Sequence, residues 1–125
     1  MSMIKITSGK LSLAIELNDT PTARKLLEKL PFDGTINTWG DEIYFETPVT
    51  ANPEKEARAV VEVGDVGYWP PGQALCVFFG PTPASEGNEP RAASPVTVIG
   101  RVQGDARRAG QFRDGEDVRV SKETG

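Results

Sequence analysis

Glu42 and Tyr44 stand two positions apart in the string Ile36-Asn37-Thr38-Trp39-Gly40-Asp41-Glu42-Ile43-Tyr44-Phe45. In an extended strand that spacing puts a carboxylate and a phenol on one face and leaves Ile43 and Phe45 on the other, the core face. The carboxylate could accept a hydrogen bond from a ligand amide or ammonium while the phenol donates one. An ordinary exposed strand face would account for the pair equally well. Trp39 and Trp69 lie beside Gly40 and Pro70, where bends in the backbone can present a ring to a ligand or use it to plug the end of a barrel. Phe78 and Phe79 must point to opposite sides of their strand, and at least one should fill the interior. Trp39, Glu42, Tyr44, Trp69 and Phe79 are therefore the candidate ligand-binding residues, and no residue can be assigned a catalytic role.

Eight of the nine aromatic residues fall between Phe32 and Phe79, and the stretch from Phe32 to Asp65 holds eight acids against two bases, a local balance of −6. This describes an aromatic, acid-rimmed cleft. Nucleic-acid binders interleave aromatics with lysine and arginine, because counterion release supplies much of their affinity; here the sign is reversed, so nucleic acid is not an expected partner. The chain has no histidine, which removes the commonest general base, the commonest metal ligand and every imidazole triad. Cys76 is the sole cysteine and lies in an apolar run, where it reads as a buried, inert thiol. No metal site or cofactor is expected, since thiolate clusters and glycine-rich phosphate loops are both missing. No run approaches the ~20 apolar residues that span a bilayer, and the first residues do not resemble a secretion signal. A cytoplasmic protein that does not enter membranes is the expectation.

The elements that must position these residues follow from periodicity. Ile4 and Ile6, then Leu11, Leu13, Ile15 and Leu17, alternate with polar or smaller residues about a turn at Ser8-Gly9-Lys10 and predict an opening hairpin. Thr20 as N-cap, Pro21 at the first helical position and the spacing of Ala23, Leu26, Leu27 and Leu30 predict an amphipathic helix over 21–30, ended by Pro31. Short strands follow, broken at Gly40-Asp41, Pro48, Gly64-Asp65 and Pro70-Pro71-Gly72. A long loop is expected from Ala84 to Ser94, and a second short helix over 105–110. About eight strands with one clear helix describe a mainly β chain, a single domain over 1–125, closed into a barrel that leaves no exposed sheet edge.

Three strings carry a resemblance: Asn37 to Phe45, Gly64 to Gly72, and Phe78-Phe79-Gly80-Pro81-Thr82-Pro83. With them the chain resembles a bacterial and archaeal family of small cyclophilin-like proteins of uncertain function, which implies a closed cyclophilin-like β-barrel. The hairpin-then-helix opening and the Ile99-Gly100-Arg101-Val102 segment are also similar to true cyclophilins, the peptidyl-prolyl isomerases. Their chemistry does not carry over. Cyclophilins donate a charged hydrogen bond from an arginine that follows a Phe-His pair on the strand after the first helix. This chain has Ile36-Asn37-Thr38-Trp39 there, and no arginine between Arg24 and Arg58. The expected function is binding of a small molecule or short peptide in the cleft. The alternatives are an isomerase with a rebuilt active site and a component of an amide-hydrolysing enzyme in which Glu42 and Tyr44 act as acid and base. Whether the chain is an enzyme at all stays open, as does homodimerisation through exposed strands.

Overall fold

The computed structural model describes residues 2–123. β1 (Ser2–Ser8) and β2 (Leu11–Leu17) form the expected hairpin, and alternation sends Ile4, Ile6, Leu13, Ile15 and Leu17 to complete burial on one face. α1 (Pro21–Lys29) begins where its N-cap predicts: the Thr20 hydroxyl accepts from the Ala23 amide at 3.2 Å. Its buried side, carrying Ala23 and Leu26, joins the core beside Ile4, Leu17 and Ile99. Each fully buried leucine or isoleucine contributes about 1.5–3 kcal/mol, so this face outweighs the modest propensity of a nine-residue helix.

The remaining strands are β3 (Phe32–Thr35), β4 (Asn37–Thr38), β5 (Glu42–Glu46), β6 (Arg58–Val60), β7 (Asp65–Trp69), β8 (Ala74–Phe78), β9 (Arg91–Val102) and β10 (Asp117–Lys122). All pairings are antiparallel, in the order β3-β10-β1-β2-β9-β7-β8-β5-β4, with β6 attached to β9 off this path. The expected closed barrel of about eight strands is therefore corrected to an open ten-stranded sheet. Its two ends, β3 and β4, are consecutive in the chain and separated only by Ile36. Two segments joined in line by one residue cannot lie side by side in a ladder. Ile36 is tied elsewhere instead: its amide donates to Glu116 O at 2.9 Å, and its carbonyl accepts from Gly115 N at 2.8 Å. The second helix, expected over 105–110, is a 3-10 segment at Ala106–Gln111 capped by Asp105. Among the described residues no helix is long and apolar enough to cross a membrane.

β5, β8 and β7 lie side by side and bury both faces. On one, Ile43, Phe45, Leu75, Val77, Val66 and Tyr68 enter the main core, where the Tyr68 hydroxyl donates to Val49 O at 2.6 Å. On the other, Ala74, Cys76 and Phe78 build a second, smaller apolar cluster with Val61, Ala92 and Val96. Phe78 thus belongs to this outer cluster rather than to the main core. β9 makes the second cluster possible. Its C-terminal half, from Thr97 on, pairs with β7 and β2, while Arg91 and Val96, on either side of Pro95, pair with β6 across an irregular register. The early part of β9 then lies over the outer face of β7. Gly67 permits this approach, since a Cβ there would stand 2.9 Å from Val96 Cγ2.

Candidate functional site

Between that outer face and the beginning of β9 lies a cavity of about 260 Å3. Pairing register explains its contents. Tyr44 is opposite Cys76, Glu42 is opposite Phe78, and Trp69 is opposite Ala74, so Glu42, Tyr44, Trp69 and Cys76 share one face and line one space. Trp39 enters from the tight β4–β5 connection, where its amide donates to Glu42 O at 2.9 Å across Gly40-Asp41. Gly40 turns at φ 60°, and a Cβ there would come within 2.9 Å of Pro83 Cδ and Thr82 Cα. The connection is also fastened from both sides, because Asp41 N donates to Pro81 O and Phe79 N donates to Asp41 O, each at 2.9 Å. Asp41 thus shapes the turn.

Trp39, Glu42, Tyr44 and Trp69 all line the cavity, together with Cys76, Ala92, Ala93 and Val96. The three rings are half-buried, and the carboxylate is only 5% exposed. Phe79 is not among them: it packs on the main core and its ring edge lies against Gly110. The expected acid rim also reduces to Glu42. Asp65 is bound to Arg101 at 2.6 Å, Asp33 to Arg119 at 3.1 Å, and Glu54 accepts from Thr22 of α1, all away from the cavity. Among the described residues no three His, Cys, Asp or Glu side chains gather as metal ligands would.

The Trp69 indole N–H donates to Ser94 Oγ at 2.7 Å, and its ring lies so close over Gly72 that a Cβ there would stand 2.7 Å from Cε3 and Cζ3. The ring is thereby held in one orientation. Glu42 is different, because its Oε1 is buried without a hydrogen-bond partner. Burial pushes its pKa up from 4.5 to about 7, opposed only by a hydrogen bond from the Cys76 thiol. Burial, and then the Glu42 charge, in turn raise the Cys76 thiol well above its ordinary range. Cys76 is thus a neutral neighbour of the carboxylate and a poor nucleophile. Cys76, Ala92, Ala93 and Val96 were not anticipated as lining residues. Alternation relative to Trp69 and Tyr44 could have flagged Cys76 only once the β5–β8 register was known.

The likeness to known proteins agrees with this architecture. The family model described as Cyclophilin-like matches residues 2–121. The solution structure of the hypothetical protein AF2241 from Archaeoglobus fulgidus is similar, with a TM-score of 0.82 and 40% sequence identity. The similarity covers 98% of this chain and 95% of that one. The search of curated proteins found no match. With the family's pattern running from the first strand to the last, the chain belongs to the cyclophilin-like family.

Proposed function

We propose that this chain is a binding domain, taking a small molecule or the side chain of a short peptide into the cavity walled by Trp39, Tyr44 and Trp69. The observation that carries the reading is the Glu42 carboxyl at its floor. An unpartnered buried polar oxygen costs about 1–3 kcal/mol, and a folded chain keeps such a group where something supplies the missing partner. Half-exposed aromatic walls around a single polar anchor are the usual composition of a small-ligand site. No arginine or lysine lines the cavity, so the charged donor of the cyclophilin isomerases has no counterpart in it. This favours binding over a rebuilt isomerase.

A metabolite and peptide library screened by thermal shift is expected to yield stabilising ligands. Their effect should fall about tenfold or more in apparent affinity for Glu42→Ala and for Trp69→Ala, a loss of roughly 1.4 kcal/mol. Ligands that bind both variants as tightly as the parent would place their site elsewhere and end this reading.

A further inference from the structure

We infer that the cavity recognises an organic ammonium group, its N–H donating to Glu42 and its alkyl carbons packed against Trp39, Tyr44 and Trp69. The inference rests on the binding reading above and assigns the ligand's chemistry. Three features converge on it. Glu42 Oε1 is a buried acceptor that lacks a donor. Three of the lining residues are aromatic, and the quadrupole of an aromatic ring attracts a cation, most strongly once it is desolvated. The chain supplies no cation of its own there, since neither lysine nor arginine lines the space. A neutral amide or alcohol would satisfy the carboxyl and leave the ring potentials unused; an anion would oppose both.

The surroundings of Glu42 make the preference depend on pH. Along β5 the other titratable groups on this face are Tyr44 and, exposed at the strand's end, Glu46; from β8 it is Cys76, held neutral. Asp41, next in the chain, turns against Gly80. At the start of β9, Arg91 is paired with Glu86 and Glu89. β7 contributes Gly67, Trp69 and, at its far end, Asp65, which is paired with Arg101 and Arg58. Glu42 is therefore about half ionised near pH 7, and a bound ammonium draws it fully into the ionised form, displacing the proton.

Trp39 and Trp69 are the only tryptophans and both line the cavity, so intrinsic fluorescence reports its occupancy directly. Titration with n-butylammonium and with 1-butanol compares the same alkyl chain with and without charge. At about pH 8 the ammonium is expected to bind at least ~10-fold tighter, and the ratio should shrink by about tenfold per pH unit below pH 7. Glu42→Gln, checked for folding by circular dichroism, should abolish both the preference and its pH dependence. If that variant does not fold, the pH dependence of the ratio in the parent protein decides. Equal binding of the two probes, or a ratio independent of pH, overturns the ammonium assignment while leaving the binding reading intact. Absence of any fluorescence or thermal response to either probe and to the library overturns both.

Discussion

At the scale of single residues, Glu42 sets a sign on how stability responds to pH. Its pKa in the folded chain is about 7, against 4.5 for the free group. Below about pH 4.5 both folded and unfolded chains hold the proton, and the full stability is present. Between those values the unfolded chain ionises first, so stability falls as pH rises; above about pH 7 the loss is complete, about 3 kcal/mol. Glu42→Gln removes this term and is expected to be the more stable protein at about pH 8 by up to that amount. Urea unfolding across the range from about pH 4.5 to 8 checks it, and parallel curves for the two proteins would dismiss the assigned pKa. The placement of Glu42 and Tyr44 on one face was legible from their spacing, because alternation is a property of the extended backbone itself. The thiol beside Glu42 was not, since it comes from a diagonal position on another strand.

At the scale of elements, the cavity depends on β9 crossing over the outer face of β7. Gly67→Ala would drive a methyl group to 2.9 Å from Val96 Cγ2 and 3.1 Å from its Cβ. Both residues sit in strands, so neither can move far. A destabilisation of about 1–3 kcal/mol is expected, with a change in tryptophan emission as the cavity wall shifts. Thermal denaturation followed by fluorescence measures both, and an unchanged melting temperature would mean that the strand is not held there. The helix was readable from Thr20, Pro21 and the leucine spacing because its start and its buried stripe are local. The beginning of β9 was not. Arg91-Ala92-Ala93-Ser94-Pro95 falls in a region whose glycines, prolines and serines describe a loop, yet Ala92, Ala93 and Val96 line the cavity. Pro95 survives within a strand because it stands in the register irregularity between Arg91 and Val96, where no regular ladder bond is asked of it.

At the scale of the whole molecule, Asp65 ties distant parts of the chain together. Its buried carboxylate accepts from Arg101 Nη1 at 2.6 Å and from Glu62 N at 2.9 Å, with Arg58 at 3.5 Å. Asp65→Asn weakens this junction of β6, β7 and β9, and a loss of about 1–3 kcal/mol is expected in chemical denaturation. The arginines are half exposed and can recover water, which keeps the effect below that of a fully buried pair. The chain alone determined the alternating faces, the capped helix, the lack of imidazole chemistry and four residues that prove to share one cavity. Each of these follows from backbone period, side-chain chemistry or residues close in sequence. Tertiary structure alone decided that the sheet stays open at Ile36, that Phe79 serves the core, and that one acid rather than a rim faces the aromatic rings. Those outcomes depend on register and on contacts between residues far apart in the chain, where a single strand changing partners redirects an entire face.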